Sequence, residues 1–398
     1  MSLDLAEVAQ QVADMVARFS SGRDERHQRL DGAFSLFMEQ DSRLEELKAK
    51  AAQSRTTWLV AGLLGGLSGR YPLPGLPDEF TVLGADGSHI ELDRHRSPPC
   101  FLVNIGTVAL RYGSSPGAAL ASRPRLYFTE ADLVLAPPGP RGREQVIDGS
   151  LLGIKRGIEE CRGLAELAAG LAAGSTALAL LDGTLVLWGL EAYPDFVSYR
   201  LLEEGLLPVF ESMRRLNGGR RLALASYISL PGSTEVTNTL RVALCPDEKP
   251  DCDLCPARQS RPCDAVAGIC DRELFSRLLG EGERSELFAS HSAVVGKYYG
   301  AHRVKFFYLG VGAEIARIEV PAWVADDGVL LGLVHALVFD QCRRGHGYPA
   351  ALSEAHEQAV VTGGDRESFW RLVESKLVSE HLPDHRSAKS QRKKTRWL

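Results

Sequence analysis

The fold of this chain is decided by the segment Ala177-Leu-Ala-Leu-Leu-Asp182-Gly183-Thr184, in which an apolar run leads into Asp-Gly. Such a short apolar run is typical of a buried strand. Helical patterns cover about residues 145 to 173 before it and about 195 to 216 after it, and the strand Arg221-Leu-Ala-Leu-Ala-Ser226 follows. Strands that alternate with helices predict parallel pairing through right-handed crossovers. The segment therefore predicts an α/β fold.

A second segment, Thr81-Val-Leu-Gly-Ala-Asp86-Gly87-Ser88, repeats this plan of an apolar strand that ends in Asp-Gly and a hydroxyl residue. The apolar runs Phe101–Leu110 and Leu126–Thr129 come next and predict a meander of three strands. One Asp-Gly pair usually only makes a turn. If the strands that end at Asp86 and Asp182 are parallel neighbours, however, both carboxylates lie at one end of the sheet. Close carboxylates repel, raise each other's pKa and call for a cation.

A third carboxylate is predicted on the helix between the two aspartates. With about 100° per residue counted from Ile154, Glu160 falls within the apolar arc of this helix. Glu159 and Glu166 fall on its polar side, so Glu160 is the preferred candidate. A buried, unpaired glutamate is costly, and a metal shared with the two aspartates would compensate it. The alternative is a glutamate at the rim that Arg156 neutralises.

The composition indicates a globular protein without a general affinity for polyanions. The chain has 398 residues, 46 of them basic and 51 acidic, with a net charge of -5. Nucleic acid would therefore have to meet a local patch. The N-terminal residues do not resemble a signal peptide, and no apolar run is long enough for a membrane span. We expect a cytoplasmic protein that does not contact the membrane.

Three regions are predicted along the chain. Residues 1–77 are predicted to form an N-terminal helical segment, which ends where three prolines interrupt Tyr71–Pro77. Residues 78–380 would form the main domain, with a cysteine-rich insert at 245–270. Residues 381–398 form a basic tail, and such tails are usually solvated.

The insert holds Cys245, Cys252, Cys255 and Cys263 within about twenty residues of a proline-rich loop. Four thiolates in such a loop suit a structural Zn²⁺ ion or an iron–sulfur cluster. Because only the middle two cysteines form a CxxC pair, free thiols are the alternative. Cys270 precedes what resembles a helix start, so we interpret it as a helix cap or a core residue.

A late segment contains Gly347-Tyr348-Pro349 and Ser353-Glu354-Ala355-His356. Ser353 is predicted to cap a helix, which would place His356 in the exposed first turn. A lone histidine in that position is more often a surface residue than a functional one. Its interest depends on what accompanies it.

The motifs Asp86-Gly-Ser88, Asn104-Ile-Gly106, Leu181-Asp-Gly-Thr-Leu185 and Gly347-Tyr-Pro349 with Glu354-Ala-His356 together resemble the NurA nuclease family. The resemblance covers about residues 80 to 375. It implies a ribonuclease H-like mixed sheet flanked by helices, a homodimer, and manganese-dependent cleavage of DNA by single-strand endonuclease and 5′–3′ exonuclease activity. It also implies partnership with the hexameric translocase HerA, an ATPase, in DNA end resection and double-strand break repair.

By this resemblance the family's aspartates fall on Asp86 and Asp182, and its tyrosine and histidine fall on Tyr348 and His356. Glu160 matches the family's helix glutamate only by position and helical phase. The three carboxylates would hold one or two Mn²⁺ or Mg²⁺ ions, and His356 would complete the coordination or shuttle a proton. Ligation by a histidine nitrogen favours manganese. Tyr348 would position the scissile phosphate or stack on a base.

Two other functions fit the same fold. One is a non-catalytic DNA-binding or scaffold subunit of a translocase complex, and the presence of Asp86, Glu160 and Asp182 together argues against it. The other is a ribonuclease H-like hydrolase that acts on RNA, because a fold does not dictate its substrate. The resemblance at Tyr348 and His356 favours DNA.

Overall fold

The computed structural model describes residues 3–93, 98–139, 142–256 and 261–382, so all but the first two residues of the predicted basic tail lie outside the described residues. Within these ranges, no helix combines the length and the apolar character needed to cross a membrane. The chain divides into two compact units. The first unit comprises Met1–Pro72, Leu230–His291 and Phe306–Arg317; the second comprises Leu73–Ser229, Ser292–Lys305 and Ile318–Leu398.

Helices and strands are numbered along the chain. The α-helices are Leu5–Ser21 (α1), Arg23–Ser42 (α2), Leu44–Gln53 (α3), Glu130–Leu133 (α4), Gly149–Ala169 (α5), Asp195–Ser198 (α6), Leu207–Leu216 (α7), Glu235–Leu244 (α8), Asp271–Leu278 (α9), Ala293–Tyr298 (α10), Ala322–Ala325 (α11), Gly328–Arg344 (α12), Ala350–Ala359 (α13) and Gly363–Ser379 (α14). The strands are Gly62–Leu63 (β1), Arg70–Tyr71 (β2), Phe80–Ile90 (β3), Phe101–Tyr112 (β4), Gly117–Tyr127 (β5), Val134–Leu135 (β6), Gln145–Val146 (β7), Thr176–Asp182 (β8), Arg221–Ile228 (β9), Arg284–Ser285 (β10), Phe288–Ala289 (β11), Val304–Gly310 (β12) and Ile315–Pro321 (β13). A π-helical segment, Tyr199–Leu206, joins α6 to α7.

The second unit contains a mixed sheet in which five strands have the order β9-β8-β3-β4-β5. Strand β3 pairs antiparallel with β4, and β4 pairs antiparallel with β5. On its other side β3 is parallel to β8, which is parallel to β9. The predicted meander and the predicted parallel crossovers are therefore both present. The α/β fold with a mixed sheet and flanking helices is confirmed.

Helices α5 and α13 cover opposite faces of this sheet. Successive residues of a strand point to opposite sides, so Gly84 and Gly87 of β3 face different helices. A Cβ at Gly87 would meet Glu160 of α5, whereas a Cβ at Gly84 would meet the backbone of Ala351 in α13. A Cβ at Gly106 would clash with the carbonyl oxygen of Ala355 in α13. The backbone of α13 thus rests directly on β3 and β4 where both strands carry glycine.

Two strand predictions in this sheet were wrong in their bounds. The third strand runs from Gly117 to Tyr127 instead of Leu126–Thr129, because its residues are mostly exposed and leave no apolar pattern. It is the last strand in the sheet order, where Pro124, which has no N–H, is tolerated. Strand β3 continues through Gly87 and Ser88 to Ile90, so Asp86 lies within the strand and does not end it.

In the first unit, helix formation stops earlier than the predicted 1–77 segment. Helix α3 ends at Gln53, Ser54 is extended, and the glycine-rich stretch after it forms β1 and β2. Strand β1 pairs with β11, and β10 pairs with both β2 and β12. The core of this unit contains four aromatic side chains in mutual ring contact, Phe275, Phe288, Phe306 and Tyr308.

We predict that Gly106→Ala destabilises the protein by about 1–3 kcal/mol, the usual cost of an overpacked site. The added methyl group would meet the backbone of α13, which cannot rotate away as a side chain can. Gly153→Ala in α5 is the control, since a Cβ there meets nothing within 4 Å. It should stabilise the helix by about 0.5–1 kcal/mol. Urea unfolding of both variants measures the difference, and equal free energies of unfolding would contradict the prediction.

Candidate metal centre

Asp86 and Asp182 lie side by side on parallel strands of the second unit. The register pairs Ala85 with Leu181, so the next residue of each strand is the aspartate. The Asp86 side chain is 17% exposed; Asp182, at the end of β8, is exposed as a residue, although its carboxyl is partly desolvated. Gly183 follows with a positive φ of 87°, which turns the chain away from the sheet. The predicted juxtaposition of the two carboxylates is present.

Glu160 reaches the same place from α5, with a side chain that is only 10% exposed. Arg156, one helical turn earlier, lies 3.0 Å from it as an ion-pair partner (Nε to Oε1). Burial raises the pKa of Glu160 to about 8; Arg156 opposes the shift, and the charges of Asp86 and Asp182 add to it. Glu160 thus pairs with Arg156, as the interpretation without a metal predicts. It also lies near both aspartates, as the metal interpretation predicts.

The polar-side assignment of Glu159 was wrong, because Glu159 is as buried as its neighbour Glu160. The long side chains of Lys155 and Arg162 cover it, at 3.1 Å and 2.7 Å from its Oε1 atom. A helical-wheel projection ranks residues by direction alone and does not foresee this cover. Glu166, by contrast, is exposed and pairs with Arg123.

His356 contacts Asp86 directly, with 2.7 Å between its Nδ1 atom and Oδ2 of the aspartate. Its side chain is 63% exposed. The predicted cap at Ser353 was wrong, because α13 begins after Pro349 and already includes Ser353. A proline is pre-organised for a helix start, and the residues after it are good helix formers. His356 consequently lies in the last turn of α13.

Residues of the first sequence motif hold this end of α13. The Ser88 hydroxyl donates a 2.5 Å hydrogen bond to the carbonyl oxygen of Ala359. The Asn104 side-chain amide donates to the carbonyl oxygens of Gln358 and Ala359, at 3.2 Å and 3.0 Å. Carbonyl groups in the last turn of a helix lack partners within the helix, and these side chains supply them. The motif therefore fixes the turn that carries His356.

Tyr348 accompanies the second aspartate. Its hydroxyl donates a hydrogen bond to Asp182 and opposes the rise in the pKa of that carboxyl, which burial and the charge of Asp86 cause. Burial and the Asp182 charge in turn raise the pKa of Tyr348. Its ring packs edge-on against Tyr227, with centroids 5.5 Å apart. Tyr227 lies opposite Asp182 in the sheet register, and the sequence analysis missed it.

Glu319 was also missed, although it holds the loop after Asp182. The Thr184 hydroxyl and the Leu185 N–H both donate to its Oε2 atom, at 2.7 Å and 2.9 Å. The carboxylate is on β13 and is 1% exposed. Its signal in the sequence was an acid within the apolar run Ile315–Val320. Nothing in that run indicates a partner 135 residues away.

The donor types at this centre suit a divalent cation. Three carboxylates and an imidazole lie near one another here, and the buried Oε1 atom of Glu160 faces Arg156 Nε at 3.0 Å without hydrogen-bond geometry. In the described ranges, however, no group of three or more His, Cys, Asp or Glu side chains is placed to hold a metal ion as it stands. The residues fit by chemistry and burial, and each carboxylate already has a protein partner.

The four predicted cysteine ligands lie in the first unit, away from these residues in the chain. Cys245, Cys252, Cys255 and Cys263 line one cavity, and all are free thiols. Cys270 does not line it. Cys270 is the N-cap residue of α9, and its N–H donates to the Glu273 carboxylate at 2.8 Å, which confirms the helix-cap interpretation.

Comparison with known families decides the assignment, since residues 80–361, more than half of the chain, match the NurA domain. The chain belongs to the NurA family. The NurA match contains the strands, helices and side chains of the centre described above. This chain is therefore a member of a nuclease family.

Other comparisons are weaker. No curated protein matches this NurA-family chain. Among solved structures it is similar to an Argonaute protein of Aquifex aeolicus, with 11% identity and a TM-score of 0.26. That similarity covers 70% of this chain and 28% of the Argonaute chain, so this chain spans less than a third of that structure.

We predict that the free energy of unfolding in EDTA falls as pH rises from about 4.5 to about 8 because of Glu160. The pKa of Glu160 is higher in the folded chain than in the unfolded chain. Its contribution to the free energy of unfolding is therefore complete below the unfolded pKa and is lost as the pH rises through the folded pKa. Glu160→Gln should remove this part of the slope and be more stable than the unmodified chain above pH 8. Urea unfolding across this range measures the slope. Glu166→Gln, at an exposed position of α5, is the control and should keep it.

Proposed function

We propose that this chain is a divalent-metal-dependent DNA nuclease with a ribonuclease H-like core, carried by a nuclease domain at residues 78–380. The observation that carries the proposal is that Asp86, Glu160 and Asp182 come from three separate elements to one place in a nuclease-family fold. The strand order supports the ribonuclease H-like core. Strands β3, β4 and β5 form an antiparallel meander, and the parallel strands β8 and β9 extend the sheet from the free side of β3.

The three carboxylates would hold one or two Mn²⁺ or Mg²⁺ ions, which activate water for attack on a phosphodiester and stabilise the leaving oxygen. Glu160 would exchange its contact with Arg156 for one with the cation. Arg156 would then be free to neutralise a phosphate oxygen. Relief of carboxylate repulsion by the cation is favourable because two of these groups have raised pKa values.

His356 and Tyr348 would act beside the carboxylates. His356 is largely exposed and touches Asp86 through Nδ1, which leaves its Nε2 atom for a proton transfer or for the cation. Tyr348 favours the ionised form of Asp182 by donating a hydrogen bond, against the rise in its pKa that burial causes. The same hydroxyl would position the scissile phosphate.

The family assignment also supports the wider role. We propose single-strand endonuclease and 5′–3′ exonuclease activity on broken DNA ends, in double-strand break repair. The proposed assembly is a homodimer that works with a HerA-type hexameric ATPase. Light scattering of the purified chain, alone and with such an ATPase, measures the assembly independently of catalysis.

We predict that labelled single- and double-stranded DNA is cut with Mn²⁺ and is left intact with EDTA. Asp86→Ala and Asp182→Ala should each lower the cleavage rate by at least about 10- to 100-fold. A loss of that size follows when a residue that only supports a metal ligand is removed, and these variants remove a proposed ligand itself. Glu166→Gln, which changes an exposed carboxylate on α5, should keep full activity. Unchanged cleavage in EDTA or in both aspartate variants would refute the metal mechanism.

Two outcomes of the same assay would favour the alternatives. Preferential cleavage of labelled RNA would indicate a ribonuclease H-like enzyme for RNA. Binding of DNA without cleavage under all metal conditions would indicate a scaffold subunit.

We predict that Tyr348→Phe moves the acidic limb of the pH–activity profile to higher pH by about one unit. The reason is that a hydrogen bond to a charged group contributes about 1.5 kcal/mol or more, and its loss raises the pKa of Asp182. The ring contact with Tyr227 is kept by phenylalanine. Cleavage rates measured from about pH 5 to pH 9 test this; an unshifted limb with a lower plateau would assign Tyr348 to substrate contact alone.

A further inference from the structure

We propose that Cys245, Cys252, Cys255 and Cys263 bind a structural Zn²⁺ ion in the first unit, at a site independent of the proposed catalytic centre. The four residues are spread over 19 positions of sequence, yet all four line the same cavity. Cys252 lies close enough to Cys255 and Cys263 for their thiolates to repel one another. Four thiols that line one cavity can supply the ligand set of a structural zinc site.

The lining residues suit a single structural ion. Four thiolates complete the tetrahedral shell of one Zn²⁺ ion, at Zn–S distances of about 2.3 Å. An iron–sulfur cluster uses the same four thiolates, so iron with labile sulfide is the result that separates the two.

The loop is tied to the first unit immediately before and at the first cysteine of the CxxC pair. Arg55 donates its N–H to the Pro250 carbonyl oxygen at 2.7 Å and accepts from the Cys252 N–H at 2.9 Å. Asp251 accepts from the N–H groups of Asp253 and Leu254, at 3.0 Å and 3.3 Å, and so bends the segment between the two cysteines. The bend turns both cysteines toward the cavity that they line.

Basic groups at the cavity suit bound thiolates. Arg241 and Arg261 both line it and share Asp264 as an ion-pair partner. The Nε atom of Arg241 is buried and has no hydrogen-bond partner within the described part of the chain. A thiolate sulfur would accept from it. Zinc binding would release the thiol protons to solvent and leave a site of net charge -2, which these arginines offset.

The sulfurs are not yet arranged as a complete ligand set among the described residues. Completion therefore requires small movements of a loop whose cysteines are all partly exposed. Zinc sites of this kind are usually completed when the metal binds, so metal affinity and local folding are coupled. Zinc would take the place of an apolar core in a proline-rich segment that has little to bury.

The test is metal analysis of the full chain, purified under reducing conditions after growth with zinc. We expect about one Zn²⁺ per chain in the Asp86→Ala/Asp182→Ala variant, in which the proposed catalytic ligands are removed. On that background, Cys252→Ser/Cys255→Ser should reduce zinc to background. Cys270→Ser is the matched control, because serine also caps a helix, and it should keep the metal.

A second readout does not depend on how the cysteine variant folds. Cobalt replacing zinc should give the intense thiolate-to-cobalt band of tetrahedral sulfur ligation, and a thiol-specific mercurial should release the metal from the intact chain. Iron with labile sulfide, a disulfide among the four cysteines, or an as-purified chain that takes up neither metal would each overturn the proposal. Zinc retained in the double cysteine variant would do the same. None of these results bears on DNA cleavage, so the two proposals fail separately.

Discussion

The second unit depends on one constraint, the repulsion between carboxylates in a partly desolvated site. Asp86 and Asp182 are forced together by the parallel pairing of β3 and β8, and Glu160 is added from α5. A fold that only had to be stable would not concentrate like charges where burial already disfavours them. The unit offsets this cost with Arg156 and His356, each of which pairs with one of these groups.

This constraint explains why glycine and small polar residues occupy the strands beside the centre. Gly87 leaves the space beside β3 that the Glu160 carboxylate occupies, and α13 can lie on the other face only because Gly106 has no Cβ. Ser88 and Asn104 then bind the carbonyl groups at the end of that helix. The motifs that identify the family thus include residues that position the functional side chains, beside those that would touch metal or DNA.

How far the sequence could predict this structure depended on the range of each signal. Buried parallel strands such as Thr176–Asp182 and the inward phase of Glu160 are local patterns, and both were predictable. The edge strand Gly117–Tyr127 was missed because exposed residues carry no hydrophobic period. The contact of Glu319 with the loop at Thr184 was missed because it joins distant segments of the chain. Hydrophobic periodicity predicts a single helix or strand and its buried face, but it does not predict which distant segment that face contacts.

The pairing within the centre also explains why the proposed metal ligands are not arranged around one point. Glu160 faces Arg156, Asp86 faces His356, and Asp182 faces Tyr348, so each carboxylate is stabilised separately. A cation that enters must compete with three protein partners, and each partner that it displaces becomes available to substrate: a guanidinium, an imidazole and a phenol. These are donors suited to phosphate oxygens. The same contacts that stabilise the centre without metal would therefore bind the substrate once metal is present, which couples the order of binding to the electrostatics of the site.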